Sequence, residues 1–404
     1  MRWISRLTLL TSALLLLPLP FLPLPAFAQA PKAPIKIGLL MPYTGLSAAV
    51  AHDATKGLEL YLAKIGGRAG GRELQLMKED TEFKPDVGLT KARKLVERDR
   101  VDLLVGPVNS AVALAIRDYV TRQGIPLVIP VAFSKEITAP GKTSPWIFRV
   151  IETTDQGNFA MGKWVYRNTP HRKIVIISLD IVAGRDVAGA FKAGFTGEGG
   201  EIVKEIFMPV GTPDVAPYLA QVVALPADAV YAFTGGADGI RFVKTYQEYG
   251  LKGKLPLLAY NTVVDDVLLP AMGDAAIGIV AVGTYSAALD TPESRAFVQD
   301  YEARYNGWPS AHSERGFVAG QLVAAAIDLL KGEAADRARL RDALRSAVTK
   351  ILPPRGPIRF DRYQQAISPV YVTKVERRGT RLVNAVIDRI PDTSQEESWK
   401  WWNK

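Results

Sequence analysis

Apolar segments of strand length alternate with amphipathic segments of helix length along most of the chain, and this alternation constrains the fold more than any other feature. The first unit shows the pattern: residues 35–41 read IKIGLLM, and residues 54–65 follow with a helical apolar stripe. A strand without polar alternation is typical of a parallel sheet that is covered on both faces. The sequence therefore predicts an α/β protein built from repeated strand-helix-strand units.

Two series of these units follow one another, which predicts two Rossmann-like lobes with parallel sheets. The pattern starts afresh after residue 150, and the helices after residue 293 have no strand of their own to cover, so they are expected to return to the first lobe. An alternating hairpin around Arg378 and Gly379 is expected to belong to the second lobe. We therefore assign residues 33–150 and 284–355 to the first lobe and residues 151–283 and 356–404 to the second, with three hinge crossings.

Residues 1–28 are expected to be a secretory signal peptide and not part of the fold. Arg2 and Arg6 precede an apolar run that ends in Ala26-Phe27-Ala28, which is a small-residue cleavage pattern. Prolines interrupt the run, so a membrane anchor is the weaker interpretation. The chain has 404 residues and no cysteine, hence no disulfides and no lipid-anchor thiol. These features favour export to a bacterial periplasm, with cleavage near Ala28.

Charge and missing motifs argue against several functional classes. The formal net charge is +9, but the 50 Lys and Arg residues are interleaved with 41 Asp and Glu residues, so no basic stripe predicts a nucleic-acid partner. Neither a phosphate-binding glycine motif nor an esterase elbow occurs. His52, His171 and His312 lack metal-ligand spacing. Asp180 and Asp265 read as caps or solvated residues and not as general bases, so we expect no enzyme, cofactor or metal.

Polar side chains follow three predicted strands at the edge where open parallel sheets bind ligands. Tyr43 and His52 follow the first strand, and Asn109 and Ser110 follow the strand at 101–106. Either Asn109 or Ser110 can cap the next helix, whose free N–H groups attract a carboxylate. The strand at 125–130 delivers three further residues to the same edge, Ala132, Phe133 and Ser134.

Four segments occur in an order and spacing that point to one family: IKIGLLMPYTG, LVGPVNSAVALAIRDYVTRQGIPLVIP, WIFRV and DAAIGIVAVGTYS. Together they resemble the branched-chain amino-acid-binding family, the type I periplasmic binding proteins of ABC importers. The resemblance covers nearly all of the chain after the first 28 residues. It implies a monomeric, hinged capture protein that closes around a small solute at crossings near Val150, Thr284 and Arg355 and presents it to a membrane permease.

The resemblance also implies ligand contacts. It places the ligand carboxylate at Ser110 and at Ala132 and its neighbours, where Phe133 replaces a small hydroxyl residue and adds an aromatic wall. Amino-acid binders of the family neutralise the ammonium group with an acid on the second lobe, and this chain has Asn261 there. A buried ammonium without a partner is costly. With Arg185 as a further cationic contact, these residues suggest an aromatic or aliphatic carboxylic acid without an α-amino group.

Other ligands and functions stay open at the level of sequence. An ordinary amino acid, an amide and a urea-type solute all fit the same kind of cleft. A sensory protein that docks to a receptor, and not to a permease, has the same two lobes. The alternative among enzymes is an exported α/β hydrolase that uses Asp180 or His52. Such an enzyme requires a nucleophile and a base within hydrogen-bond reach of each other in the cleft.

Overall fold

The computed structural model describes residues 32–45 and 47–402, so the predicted signal peptide lies outside the described residues. Ala33–Lys404 form one compact unit, in which strands and helices alternate as the sequence predicts. Among the described residues, no helix combines the length and the low polarity needed to cross a bilayer.

The strands form two sheets. The six-stranded first sheet has the order β2-β3-β1-β4-β5-β6, with β1 (Ile35–Met41), β2 (Arg68–Ala69), β3 (Arg72–Asp80), β4 (Leu103–Val105), β5 (Leu127–Ile129) and β6 (Ile147–Arg149). The eight-stranded second sheet has the order β12-β13-β11-β10-β9-β7-β8, with β14 beside β13; its strands are β7 (Lys173–Leu179), β8 (Glu201–Met208), β9 (Ala229–Phe233), β10 (Leu257–Tyr260), β11 (Val280–Gly283), β12 (Arg359–Phe360), β13 (Ala366–Arg378) and β14 (Arg381–Thr393).

Most strand pairs in both sheets are parallel, which confirms the predicted α/β class. The second sheet ends differently, because β13 pairs antiparallel with β11, β12 and β14. The predicted hairpin is thus present as a long antiparallel addition to an otherwise parallel sheet. Its strands are longer than the alternating sequence pattern indicates, since β13 and β14 each span 13 residues.

Helices cover the sheets. They are α1 (Ala48–Lys64), α2 (Pro85–Arg93), α3 (Ser110–Gln123), α4 (Thr154–Asn168), α5 (Val182–Gly197), α6 (Ala216–Val223), α7 (Gly236–Glu248), α8 (Leu269–Met272), α9 (Pro292–Tyr305), α10 (Ala311–Leu329), α11 (Arg337–Ala347) and α12 (Gln395–Trp402). Helix α10 packs on α1 and shares its core with β1, whereas α4 and α5 pack together over the second sheet. We call the first sheet with α1–α3 and α9–α11 the first lobe, and the second sheet with α4–α8 and α12 the second lobe. The exact boundaries at residues 150, 283 and 355 stay predictions.

Glycines let α10 lie against the backbone of α1. A Cβ built on Gly57 would be 1.7 Å from the carbonyl oxygen of Ser313, and one on Gly316 would be 1.9 Å from a carbonyl oxygen of α1. The buried carboxylate of Asp53 on α1 accepts hydrogen bonds from the hydroxyl of Ser310 and, at 3.1 Å, from the backbone N–H of Ser313. These contacts fix the first turn of α10 relative to the first sheet.

Arg355 ties together the connections between the lobes. Its side chain is fully buried and pairs with the carboxylate of Glu314 on α10, with Nε 2.9 Å from Oε1. Nη1 donates to the carbonyl oxygen of Val150 at 3.1 Å and to Oγ1 of Thr284 at 3.4 Å. One guanidinium therefore contacts a residue at each of the other two predicted crossings.

Glu152 forms a second buried centre beside the first. Its carboxylate accepts hydrogen bonds from the hydroxyls of Thr284 at 2.9 Å and Tyr260 at 2.5 Å, and it pairs with Arg315 at 3.3 Å. Both charged side chains of this pair are about 1% exposed. Charges buried this deeply are tolerated only when their partners are present, so each of these contacts restrains the connecting segments.

Replacing Glu314 by glutamine (Glu314→Gln) leaves the positive charge of Arg355 buried without its counter-ion. We expect a loss of about 3–5 kcal/mol in the free energy of unfolding, measured by urea denaturation. The matched control is Asp342→Asn, which removes a solvent-exposed carboxylate from its pair with the half-buried Arg341 and should cost less than about 1 kcal/mol. Equal effects of the two substitutions would contradict this account of the crossings.

Candidate functional site

A cavity of about 440 Å³ lies at the carboxyl ends of the strands of both sheets. Its lining comes from the segments after β1, β3, β4 and β5 and the start of α10 in the first lobe, and from the segments after β7, β8, β9 and β10 in the second. The walls are mainly apolar and include Val50, Phe83, Val131, Phe133, Leu179 and Phe233. An apolar cleft with a few polar groups at strand ends is where open α/β sheets bind small ligands.

Ser110 begins α3 at the cavity wall, next to its capping residue Asn109. The Asn109 side chain accepts a hydrogen bond from Ala111 N at 2.8 Å and donates one to Phe83 O at 2.7 Å, so both of its ends are occupied. Ser110 Oγ accepts from Ser134 N at 3.1 Å and donates to none of the described residues. Its hydroxyl proton is therefore available to an anion at the start of the helix.

Aromatic side chains from both lobes form one wall of the cavity. The ring of Phe133 stacks on that of Tyr260, with centroids 5.3 Å apart, and meets Phe233 edge-on at 5.9 Å. Phe133 follows β5 in the first lobe, whereas Phe233 and Tyr260 end β9 and β10 in the second. Phe133 and Phe233 line the cavity. Such a wall favours a flat, apolar ligand group.

Ala132 and Ser134, which the sequence assigns to the site, lie beside the cavity and do not line it. Ala132 is fully buried in the first lobe's core. The hydroxyl of Ser134 donates to Asp186 on α5 at 2.5 Å, and so it links the two lobes. Ser134 supports the site indirectly, because its backbone N–H positions the Ser110 hydroxyl.

Tyr43 and His52 also lie outside the cavity lining, and the expected loop position of His52 is wrong. Helix α1 begins before residue 54 because the segment AAVAHD is rich in alanine, so His52 is an exposed residue within the helix. The ring of His52 is 5.3 Å from that of Tyr43. The Tyr43 hydroxyl is bonded to Thr55 at 3.0 Å, and burial raises its pKa to about 12. Ser47 and Val50 line the cavity in their place.

Arg185 lines the cavity, but its charge is already paired. Both Nε and Nη2 lie 2.7 Å from Oδ1 of Asp180, and the guanidinium is 4.5 Å from the ring centre of Phe207. Arg185 lies in the first turn of α5, whose capping residue is Ile181, so Asp180 is not the cap that the sequence suggests. The pair is half-exposed, and it offers less to a ligand carboxylate than a free cation would.

Asn261 does not line the cavity, because its side chain packs over the neighbouring strand. A Cβ on Gly283 would come within 2.4 Å of Asn261 Nδ2, so the amide occupies the space that this glycine leaves. Thr262 lines the cavity instead. Because Asn261 does not reach the cavity, its neutral side chain does not exclude an ammonium ligand. Whether the cavity can neutralise an ammonium group depends instead on the three acids that line it, Asp180, Asp238 and Asp265.

Asp265 differs from the other two acids because it faces a histidine and not a cation. Its Oδ1 accepts from Val267 N at 3.2 Å, whereas Oδ2 lies 3.6 Å from Nε2 of His312 and has no hydrogen-bond partner among the described residues. Both side chains are about 97% buried. Burial and the neighbouring Asp266 raise the pKa of Asp265 well above its ordinary value, and burial and Arg315 lower the pKa of His312. Both shifts favour the uncharged form of the side chain concerned.

The sequence did not predict Asp265 or His312 as residues of the site. Asp265 is not solvated, because it is buried at the cavity, although its Oδ1 does cap the backbone N–H of Val267. Its position after β10 is the one clue that the strand-end rule offers. His312 has no comparable local clue, since only the packing of α10 on α1 brings it to the site. In the ranges 32–45 and 47–402, no cluster of three or more potential ligands is placed to hold a metal ion.

Asp266 should make stability depend on pH. Burial raises its pKa to about 7, in spite of the hydrogen bond from Asn384 at 3.1 Å. An unfolded Asp titrates near about 4, so only the folded state holds this proton between those values, and the free energy of unfolding falls as the pH rises towards about 7. In Asp266→Asn, the decrease of Tm between about pH 4 and 7 should be shallower. An unchanged pH dependence would contradict the buried, protonated carboxyl.

A family model for periplasmic binding proteins matches residues 34–380 of this chain. The chain is 27% identical over 348 residues to Leu/Ile/Val-binding protein homolog 6 of Brucella melitensis, with 85% of this chain and 88% of that protein covered. Among solved structures, an ABC transporter substrate-binding protein from Sphaerobacter thermophilus is 36% identical, with a TM-score of 0.83 and coverage of 89% of this chain and 99% of that chain.

A second solved structure is the solute-binding protein of an ABC transporter from R. palustris in complex with benzoate. It is 31% identical, with a TM-score of 0.84 and coverage of 90% of this chain and 98% of that chain. These likenesses confirm the resemblance that the four sequence segments indicate. With the two-sheet α/β fold and a cavity at the strand ends, they show that this chain belongs to the periplasmic binding protein family, whose members are solute-binding proteins.

Proposed function

We propose that this protein, the solute-binding component of an ABC importer, captures a small aromatic carboxylate. The observation that carries the proposal is the juxtaposition, in one apolar cavity, of the Ser110 hydroxyl at the start of α3 and the aromatic wall of Phe133 and Phe233. The carboxylate would accept from Ser110, and the ring would lie against the wall. The relative from R. palustris, in complex with benzoate, supports this ligand class.

The acids at the cavity argue against an α-amino acid. Asp180 is paired with Arg185, and Asp238 accepts from Gly211 N at 2.9 Å and lies 3.4 Å from Arg241. Burial raises the pKa of Asp265, which disfavours the ionised form that an ammonium group would need as its partner. An amino acid remains the second candidate, because Asp265 has an unpaired oxygen that such a group would contact.

The geometry of Ser110 also argues against a hydrolase. Its hydroxyl oxygen accepts from a backbone N–H, and within the described residues no histidine or carboxylate accepts its proton. Asp180 and His52, the residues on which that alternative depends, lie in an ion pair and on an exposed helical face. A solute-binding site needs no activated nucleophile, so this arrangement fits capture without chemistry.

Closure and delivery complete the proposal. We infer that the lobes of a monomer close about the crossings near Val150, Thr284 and Arg355, which the buried guanidinium of Arg355 holds together. Export to the periplasm would depend on the signal peptide at residues 1–28, and the closed form would dock to a membrane permease. No nucleic-acid partner and no cofactor is part of this function.

Calorimetric titration with four ligands tests the ligand class. We expect benzoate to bind at least about tenfold more tightly than cyclohexanecarboxylate, which lacks the flat ring, and benzamide, which lacks the charge. Leucine should bind more weakly than benzoate. Bound ligand should also raise Tm, and at equal concentration the tighter ligand should raise it more. Tight leucine binding with no response to benzoate would overturn the proposal.

Ser110→Ala tests the position of the carboxylate. Loss of one hydrogen bond to a charged group should weaken benzoate binding by about tenfold, measured by calorimetry, and Tm should fall modestly because the buried Ser134 N–H loses its acceptor. Arg185→Ala is the matched variant on the opposite lobe and should have a smaller effect, because Asp180 already pairs with that charge. The reverse order of effects would place the carboxylate at Arg185.

A further inference from the structure

We propose that Asp265 and His312 are specificity-determining residues that bind a hydroxyl substituent on the ring of the ligand. The preferred solute would then be a hydroxylated aromatic acid, and the hydroxyl would bridge the two lobes. This inference rests on the proposed function, because it adds a second polar contact to a carboxylate held at Ser110. Both residues line the same cavity as Ser110.

The distance between the two side chains leaves room for one bridging atom. Oδ2 of Asp265 and Nε2 of His312 are 3.6 Å apart, which is too far for a good direct hydrogen bond. A hydroxyl oxygen beside both can lie about 2.8 Å from each of them. It would supply the partner that Asp265 Oδ2 lacks, and a buried polar atom without a partner calls for such an explanation.

The imidazole has a preferred proton position for this contact. Its Nδ1 lies 3.5 Å from Nη1 of Arg315, and a guanidinium only donates, so Nδ1 is assigned as the acceptor. The proton of the neutral ring then belongs on Nε2, which faces Asp265. A ligand hydroxyl oxygen has two lone pairs, so it can accept one hydrogen bond from Nε2–H of His312 and a second from the Asp265 carboxyl when that group is protonated at Oδ2.

Both side chains are held in place by other parts of the fold. The second oxygen of Asp265 accepts from Val267 N, and His312 lies in the first turn of α10, where Ser310 and Asp53 fix the helix start. A recognition site needs this kind of support, because a loosely held polar group gives little discrimination. Since Asp265 follows β10 in the second lobe and α10 belongs to the first, one hydroxyl would connect both lobes.

The charges around the pair favour a neutral ligand group. Asp265 is faced by the acids Asp266 and Asp53 and, more weakly, by the cation Arg315, which also faces His312. An ammonium group would lie near Arg315 and would require Asp265 to ionise in the interior. A carboxylate would lie among three acids and would be repelled by any of them that ionises. A hydroxyl makes both hydrogen bonds without adding a buried charge.

Calorimetry with benzoate, 3-hydroxybenzoate and 4-hydroxybenzoate tests the inference on the wild-type protein and on Asp265→Asn and His312→Phe. We expect at least one hydroxybenzoate to bind the wild type about tenfold or more tightly than benzoate. Each substitution should remove most of that preference and weaken hydroxybenzoate binding far more than benzoate binding, because the carboxylate contact is elsewhere. A cooperative melting transition shows independently that each variant is folded.

Asp266→Asn is the matched control, because Asp266 is an equally buried neighbour that is bonded to Asn384 and does not line the cavity. It should keep the preference for the hydroxylated ring. If the two test variants weaken benzoate as much as hydroxybenzoate, the pair holds the carboxylate and the inference is overturned. If benzoate binds the wild type and the hydroxyl adds nothing, only the inference fails. If none of the three acids binds, the proposed function fails as well.

Discussion

The arrangement of the whole molecule depends on two buried arginines, Arg315 and Arg355, that are paired with carboxylates at the connections between the lobes. Removing such charges from water costs several kcal/mol each, and the attraction between partners offsets this only when the geometry is good and the remaining N–H groups are satisfied. Here Arg355 satisfies its remaining donors with Val150 and Thr284. Directional bonds, and not apolar packing alone, therefore define how the connecting segments lie.

Helix α10 joins these ion pairs to the binding cavity. Glu314 and Arg315 directly follow the turn that carries His312, and Gly316 allows the helix to touch the backbone of α1. The position of His312 in the cavity is thus set by the contacts that also orient the ion pairs. A solute that contacts His312 would therefore bind within one helical turn of Glu314 and Arg315, whose ion pairs lie at the connections between the lobes.

Much of the fold and part of the site could be predicted from local sequence. The apolar strands and the cap of α3 are local properties, and Ser110 and Phe133 reach the cavity because they follow strands of one parallel sheet. Side-chain direction was not predictable, since Asn261 turns towards the space left by Gly283 on another strand. His312 depends on contacts between segments far apart in the chain. For such residues no periodicity or motif substitutes for the packed structure.

The relative size of the available interactions shows what this cavity can discriminate. Aromatic groups bury roughly 150–250 Å² each, and at about 25 cal/mol per Å² that area corresponds to roughly 4–6 kcal/mol. A hydrogen bond to a charged group contributes about 1.5–3 kcal/mol. Arg185 is already paired with Asp180, so no unpaired cation among the described lining residues adds a stronger attraction to the ligand carboxylate. The ring should therefore supply most of the affinity, and the polar contacts should decide which ring is accepted and how it is oriented.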